Sequence, residues 1–277
     1  MILLGILLTT AALAWLWWWL VRHEAEVRQR WEGLSAHPRV TSFRTRFAPQ
    51  IAFLQARLSP AEFIGLDLTI GALLLIGASF IFGGIAEDVV TGDPLTIVDR
   101  EIAVWLHMHA TPTLTAAMKF ISLLASWYVV TGICLFMALY FAWKRSRYRL
   151  VALMLAIPVG MLMNGMLKYA FHRSRPSWDV PILIIESFGF PSGHAMSATL
   201  LYGFLAAFGV RSVHSWRWRV LVVLSAVLLV VLIGFSRLYL GVHYLSDVLA
   251  GMAAGSAWLA LCWIAVGTLR RHRAIIR

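Results

Sequence analysis

The sequence has 277 residues, of which 60% are hydrophobic and 13% are charged, and its mean hydropathy is +0.78. This composition excludes a soluble domain of this size and predicts an integral membrane protein. The formal net charge of +11 would suit a nucleic-acid-binding protein, but such a protein presents one basic surface with interleaved aromatic residues, whereas the basic residues here occur in alternate loops. Nucleic acid is therefore excluded as a partner.

Seven segments are long and apolar enough to span a bilayer, since a spanning helix needs about 20 mostly apolar residues. They lie at 1–21, 61–84, 118–143, 149–168, 194–211, 219–236 and 244–268. We therefore predict an all-α fold, a polytopic bundle of transmembrane helices. Its parts are an N-terminal transmembrane anchor at 1–21, a basic amphipathic cytoplasmic segment at 22–60, a six-helix core at 61–268 and a basic cytoplasmic tail at 269–277.

The basic residues indicate how the chain crosses the membrane. Of the 24 Lys and Arg residues, 18 fall in four stretches, at 22–60, 144–149, 211–219 and 270–277. The seven-helix topology puts all four stretches on one side, and cytoplasmic loops are enriched in Lys and Arg. That side is therefore predicted to be the cytoplasm, with the N-terminus outside. A bacterial inner membrane suits this asymmetry, and an endomembrane protein would show the same one.

The first 60 residues have two open interpretations. Ala12-Leu13-Ala14 resembles a signal-peptidase site, but no positive charge precedes it, so we interpret 1–21 as an uncleaved anchor, with a cleaved signal peptide as the alternative. Within 22–60, an interfacial amphipathic helix and an ordinary linker helix both fit the helical spacing of Phe43, Phe47, Ile51 and Leu54.

The connection at 85–117 is acidic and contains glycine and proline, so we predict an outer loop there. His107 and His109 form an H-x-H pair, but no third ligand lies at a suitable spacing for a metal site. We interpret both as ordinary loop residues. Cys134 and Cys262 lie inside apolar segments, so they are predicted to be packing residues and indicate no disulfide.

Three polar clusters interrupt the apolar pattern, and polar groups near a membrane interior mark functional sites. They occupy 168–176 after the fourth segment, 191–194 at the start of the fifth, and 236–247 between the sixth and the seventh. Taken alone, each has a structural interpretation, as interfacial anchors, an N-cap turn or a helix pair. All three fall on the outer face of the predicted topology, which favours one common site.

The residue types in these clusters suit phosphate. Lys168, Arg175 and Arg237 are cations with few acidic neighbours in sequence, and arginine offers a planar fork of donors that fits phosphate oxygens. Ser192 and Gly193 begin a helix, where a hydroxyl and exposed backbone N–H groups bind an anion. The sequence therefore predicts a phosphate-binding site on the outer face.

Two histidines add catalysis to binding. His243 and Asp247 are four residues apart and share one helix face, so the carboxylate fixes the imidazole tautomer and leaves the other ring nitrogen free to attack phosphorus. His194 comes from another helix and is predicted to protonate the leaving alkoxide and then to activate water. The scheme requires no metal and no cofactor.

With these motifs the sequence resembles the type 2 phosphatidate phosphatase superfamily, the lipid phosphate phosphatases, whose signature is K-x6-RP, PSGH and SR-x5-H-x3-D. Every signature position is matched, by Lys168, Arg175, Pro176, Pro191, Ser192, Gly193, His194, Ser236, Arg237, His243 and Asp247. The resemblance implies a six-helix phosphatase core, a phosphate bound by the lysine, both arginines and the PSGH backbone, His194 as the acid and His243 as the nucleophile. Soluble vanadium haloperoxidases belong to the same superfamily, so vanadate is expected to inhibit.

We therefore expect a membrane phosphatase that acts on a lipid phosphate or pyrophosphate at the extracytoplasmic leaflet. Candidate substrates are undecaprenyl pyrophosphate, phosphatidylglycerophosphate, phosphatidate and lipid A phosphates, and the choice is expected to depend on the loop 177–190, including Trp178 and Phe188. A phosphotransferase that uses the same phosphohistidine is the alternative. A transporter or scramblase fits less well, because it would carry polar residues along several helices. The sequence indicates no oligomeric state.

Overall fold

The computed structural model describes residues 64–92 and 94–275, together with seven isolated positions between residues 15 and 29. Within these residues the chain is helical and has no strands. The predicted anchor at 1–21 and amphipathic segment at 22–60 lie outside the continuously described part. The predicted all-α fold of the remaining chain is confirmed.

Nine α-helices follow one another in the described residues. They are α1 (Ile64–Thr91), α2 (Pro94–Met108), α3 (Pro112–Leu123), α4 (Trp127–Trp143), α5 (Arg147–Met154), α6 (Gly160–Phe171), α7 (Gly193–Ser212), α8 (Trp216–Tyr239) and α9 (Leu245–Ile275). A π-helical turn, Leu155–Val159, joins α5 to α6 and contains Pro158. Because proline has no N–H to donate and its ring crowds the preceding turn, a wider turn is expected there.

Among the described residues, six stretches are long and apolar enough to cross a membrane, namely Leu68–Thr91, Pro112–Trp143, Arg147–Phe171, Gly193–Ser212, Trp216–Tyr239 and Leu245–Leu269. They correspond to six of the seven predicted segments, and the protein is an integral membrane protein. The second of these spans begins earlier than predicted and is divided between α3 and α4. Ser126 caps α4 by accepting a hydrogen bond from the Val129 N–H at 3.5 Å.

The prediction of an outer loop at 85–117 was wrong over most of its length. Helix α1 continues to Thr91, and α2 fills Pro94–Met108. The glycine and prolines that suggested a loop are helix boundary residues, since Gly92 follows α1 and Pro94 opens α2, where the missing N–H costs nothing. The outer connection is therefore an ordered helix that is able to contribute side chains to a site.

Helix α7 lies at the centre of the bundle, where it packs against α8 and α9, and α9 packs in turn against α1. Its residues Met196, Leu200 and Leu201 are fully buried and contact side chains of α4 and of the π-helical turn. Because successive spans run in opposite directions, the ends of α6 and α8 meet the starts of α7 and α9 at one end of the bundle. Helix α2 lies at the same end, and the links 144–146 and 213–215, with the basic residues in and around them, lie at the other.

Candidate active site

His243 and Asp247 form a buried pair where α9 begins. His243 is 2% exposed and Asp247 is 0% exposed. Nδ1 of His243 lies 3.3 Å from Oδ2 of Asp247, which also accepts the Tyr244 N–H at 2.9 Å. Since the carboxylate accepts the Nδ1 proton, Nε2 keeps its lone pair. His243 lies two residues before α9, so the two side chains meet, as expected, but across the start of the helix and not within one of its turns.

A tight turn directs His243 into the site. Gly241 has φ +67°, and a Cβ at this position would lie 2.7 Å from Nε1 of Trp178. That indole N–H donates to the Gly241 carbonyl at 2.8 Å. Only glycine combines the left-handed conformation with such a close indole ring. Trp178 therefore holds the turn before the histidine, and the prediction that it selects substrate remains a prediction.

Arg175 donates a hydrogen bond to Nε2 of His243, the ring nitrogen that keeps its lone pair. Its Nη1 lies 2.9 Å from Nε2 of His243 and donates to the Val242 carbonyl at 2.6 Å. The other side of the guanidinium donates to the carbonyl and hydroxyl of Ser187 at 2.6 and 3.0 Å, and to the Phe188 carbonyl at 3.2 Å. The loop 172–192 thus fixes the guanidinium beside the imidazole.

Lys168 and Arg237 complete a group of three cations. Lys168, near the end of α6, donates from Nζ to the Phe188 carbonyl at 2.5 Å. Arg237, near the end of α8, is 3% exposed and donates from Nη1 to the Ser122 hydroxyl at 2.5 Å. Its Nε is buried and has no hydrogen-bond partner within the described part of the chain. A buried guanidinium with an unused donor is expected to take an anion as acceptor.

The second cluster forms the N-terminus of α7. Ser192 is the N-cap, and its hydroxyl accepts the Ala195 N–H at 3.4 Å. The Ser192 N–H donates to the Asp247 carbonyl at 2.9 Å, so the second and third clusters are joined through the backbone. Gly193 opens the helix, and the half-buried His194 follows within electrostatic range of Arg237, His243, Arg175 and Lys168. All eight predicted site residues therefore gather at one end of the bundle.

Burial sets the charge state of the groups around the site that lie outside the spans. It lowers the pKa of His243 well below its ordinary value, against the opposite effect of Asp247. The imidazole is therefore neutral at neutral pH, as a nucleophile must be. Burial also lowers the pKa of Arg175, while Asp247 raises it. An arginine remains charged under these conditions.

Sequence reasoning missed one part of the site and left another without a role. Asp99, on α2, is 1% exposed and lies 2.8 Å from Nη2 of Arg173, whose Nη1 lies 2.6 Å from Oδ1 of Asp247. Arg173 belongs to the first cluster but had no predicted function. Asp99 was assigned to a loop and is 147 positions from its partner Ser246. No local spacing signals such a contact, although helical periodicity in 94–108 would have placed Asp99 on a helix.

The two histidines at the end of α2 each stack on a tryptophan ring. His107 stacks on Trp178 with a centroid distance of 4.1 Å, and His109 stacks on Trp105 at 4.4 Å. In the described residues, no three His, Cys, Asp or Glu side chains come together as metal ligands. Both histidines therefore pack against aromatic rings. Elsewhere in the bundle, Cys134 and Cys262 are buried and form no disulfide, as predicted.

Comparisons with known proteins agree with these motifs. Residues 147–271 match the PAP2 superfamily. The chain is 38% identical to phosphatidylglycerophosphatase B of Bacillus subtilis over 37% of its own length and 51% of that protein. It is 29% identical to undecaprenyl-diphosphatase of Sulfolobus acidocaldarius over 53% of its length and 68% of that protein. The match thus spans about half the length of the first of these relatives.

The fold has a solved counterpart. A crystal structure of a transmembrane PAP2-type phosphatidylglycerolphosphate phosphatase from Bacillus subtilis superimposes with a TM-score of 0.62 at 27% identity. The likeness covers 69% of this chain and 94% of that one. The three motifs, the six-span bundle and the matched region all lead to the same assignment. The chain carries a PAP2 superfamily domain at residues 147–271.

Proposed function

We propose that this protein is a lipid phosphatase of the membrane that works through a phosphohistidine on His243. The observation that carries the proposal is the position of Arg175, whose Nη1 lies 2.9 Å from Nε2 of His243. A cation suited to phosphate oxygens therefore lies beside the nitrogen that has a lone pair for attack. The names of the relatives, both lipid phosphatases, support the same activity.

The charges around His243 match a phosphate group. Lys168, Arg175 and Arg237 supply three positive charges, while the single positive charge of Arg173 is shared by the carboxylates of Asp247 and Asp99. The cations still outnumber the carboxylates, so the region has an excess of positive charge. A phosphate dianion is attracted by this excess, and the unpaired Nε of Arg237 is a donor for one of its oxygens. The backbone N–H groups at the start of α7 face an anion in the same way.

The first chemical step forms a bond between Nε2 of His243 and phosphorus and breaks the bond between phosphorus and the leaving oxygen. Asp247 stabilises the positive charge that develops on the imidazole. His194 gives its proton to the leaving alkoxide, or to the leaving phosphate ester when the substrate is a pyrophosphate. The three cations stabilise the charge on the equatorial oxygens of the transition state.

The second step returns the enzyme to its starting state. His194, now neutral, removes a proton from water as the water oxygen attacks phosphorus. The bond between Nε2 and phosphorus breaks, and the electron pair returns to the imidazole of His243. Inorganic phosphate leaves. The products are one lipid alcohol or monophosphate and one phosphate ion per turnover.

The substrate and its location follow from the protein's setting. A site at the end of apolar spans is reached by a lipid whose headgroup carries the phosphate, such as phosphatidylglycerophosphate, undecaprenyl pyrophosphate, phosphatidate or a lipid A phosphate. The basic stretches 144–149 and 211–219 at the opposite end favour an extracytoplasmic site in a bacterial inner membrane. A phosphotransferase would use the same first step and pass the phosphoryl group to a second lipid.

The test is phosphate release by purified, detergent-solubilised protein from a panel of these lipids, with EDTA present. We expect release by the wild type and loss of at least about 10³-fold in His243→Ala, because no other group replaces the nucleophile. An alkaline quench during turnover should retain labelled phosphate on the wild-type protein. His109→Ala, an exposed histidine at the same end of the bundle, is the matched control and should keep full activity.

The outcomes separate the possible functions. Metal-independent release that is absent in His243→Ala supports the hydrolase. Labelled protein without release, with product formed only when a second lipid is added, identifies a phosphotransferase. Activity retained in His243→Ala rejects the nucleophile, and inhibition by EDTA rejects the metal-independent scheme.

A further inference from the structure

We infer that Asp99 and Arg173 are positioning residues that hold the Asp247–His243 pair in its reactive geometry. The inference rests on the proposed function of that pair. Asp99 comes from α2, Arg173 from the loop after α6, and Asp247 from α9. Three separate elements therefore meet at the carboxylate that faces the imidazole of His243.

Arg173 bridges two buried carboxylates with the two arms of its guanidinium. Nη1 donates to Oδ1 of Asp247 at 2.6 Å, and Nη2 donates to Oδ2 of Asp99 at 2.8 Å. Both carboxylate side chains are 0% exposed, and that of Arg173 is 14% exposed. A buried carboxylate is stable only when it is paired and hydrogen-bonded. Arg173 supplies that pairing for both, and its guanidinium lies over the Tyr244 ring at 4.8 Å.

Ser246 ties the same carboxylate to the start of α9. Its N–H donates to Oδ1 of Asp99 at 2.9 Å, and its hydroxyl donates to Oδ2 at 2.5 Å. Nη1 of Arg173 donates to the same hydroxyl at 2.6 Å. Every oxygen of Asp99 is therefore used, and none faces a ligand. The residue has no geometry for chemistry of its own, but it fixes the first turn of the helix that carries Asp247.

The two oxygens of Asp247 are divided between these partners. Oδ1 is held by Arg173, and Oδ2 faces Nδ1 of His243 at 3.3 Å. Rotation of the carboxylate would break the bond to Arg173, so the bridge fixes Oδ2 toward the imidazole. Groups that orient a catalytic residue through hydrogen bonds determine how much of the time it is correctly placed. Loss of the bridge should thus lower kcat more than it raises KM.

The pH dependence of activity distinguishes a positioning role from a merely structural one, because the charges of Arg173 and Asp99 influence the protonation of His243. Asp247 from α9, Arg175 from the loop, Arg237 from α8 and His194 from α7 lie within electrostatic range of His243, and Lys168 from α6 lies within range of His194. Removing Arg173 takes away a positive charge behind Asp247, which favours the protonated imidazole and shifts the acid limb of the pH profile upward. Removing the negative charge of Asp99 disfavours the protonated imidazole and shifts the acid limb of the pH profile downward. We expect about one unit upward for Arg173→Gln and about half a unit downward for Asp99→Asn.

The experiment compares four single variants and one double variant of the full-length protein in detergent. Asp99→Asn keeps the shape of the side chain, and Arg173→Lys keeps the charge without the fork. We expect kcat to fall about 10–100-fold in both, with the acid limb displaced only where charge is removed, as in Asp99→Asn and Arg173→Gln. Because the residues act as a unit, Asp99→Asn/Arg173→Gln should lose less than the product of the single losses. Glu101→Gln, an exposed acid on α2, is the matched control.

A second measurement keeps this inference separate from the proposed function. The protonation of His243 is followed by NMR of protein labelled with ¹⁵N-histidine, in which the His243 signal is identified by its absence from His243→Ala. Displaced titration in Asp99→Asn supports the bridge even if no lipid is hydrolysed. An active wild type with Asp99→Asn indistinguishable from Glu101→Gln, in kcat and in titration, overturns the inference and leaves the phosphatase intact.

Discussion

His194 is the residue whose role depends most directly on the chemistry of the substrate. It is the second residue of α7 and lies among the three cations and His243. We expect His194→Ala to slow hydrolysis of a lipid phosphate, whose alkoxide needs a proton, by about 10²–10⁴-fold. An aryl phosphate with an activated leaving group needs no proton in that step and should lose much less. The measurement is kcat/KM of wild type and variant on both substrates.

The comparison has an internal control, because both substrates require the same nucleophile. His243→Ala should lose activity equally on the lipid and on the aryl phosphate. Equal losses in His194→Ala would contradict its assignment as the general acid. They would indicate instead that the residue binds phosphate together with Arg237.

At this scale the sequence predicted the residues that meet but not those that support them. Lys168, Arg175, Arg237 and the two histidines were recognisable because each lies in a short motif of fixed spacing. Asp99 was not, because its partners are distant in the chain and an isolated aspartate between apolar residues has no local pattern. Arg173 was visible within a motif, but its role depends on a helix that sequence reasoning treated as a loop.

Among the elements, the contact between α7 and α9 sets the distance between the second and third clusters. Gly251 of α9 lies against the start of α7, and a Cβ there would lie 2.6 Å from the Ser192 carbonyl oxygen. Because this oxygen belongs to the backbone, it cannot move aside by a change of side-chain rotamer. The glycine therefore allows the approach in which the Ser192 N–H reaches the Asp247 carbonyl at 2.9 Å.

We expect Gly251→Ala to separate the two helices and to lower both the melting temperature and kcat. Overpacking of a filled interior costs about 1–3 kcal/mol. Gly267→Ala is the matched control on the same helix, because nothing lies within 4 Å of a Cβ there. Alanine favours a helix over glycine by about 1 kcal/mol, so this control should be neutral or slightly stabilising. Equal thermal stability and activity of the two variants would contradict the close-contact argument.

Four of the six apolar spans were predicted to within three residues at each end, whereas the two spans that flank the outer connection, and the connection itself, were not. A span needs a fixed number of apolar residues, so its existence follows from length and hydropathy. Helix α2 is amphipathic and short, and its boundaries are marked by the same glycine and proline residues that mark turns. The break between α3 and α4 was missed for a related reason, because residues 124–126 interrupt an apolar run without a charge.

On the scale of the whole molecule, the bundle separates two kinds of charge. The phosphate-binding cations are buried at one end, together with α2 and the loop 172–192. The links 144–146 and 213–215 and the basic stretches around them lie at the other end. Large apolar side chains such as Leu73, Ile76 and Phe80 are exposed along one face of α1 between the two ends. These exposed apolar faces suit contact with lipid tails, because between its two ends a membrane-spanning bundle is surrounded by hydrocarbon and not by water.

This separation predicts the side from which each end is reached. Lys and Arg are retained in the cytoplasm, so the site should open to the extracytoplasmic side. Asp179→Cys lies in the exposed part of the loop 172–192, and His214→Cys lies in the exposed link between α7 and α8. A membrane-impermeant maleimide added to intact bacterial cells should label the first variant, and the second only after permeabilisation. The wild type supplies the background, because Cys134 and Cys262 are buried. Labelling of His214→Cys alone in intact cells would reverse the topology and put the site in the cytoplasm, where a substrate must reach it from the inner leaflet.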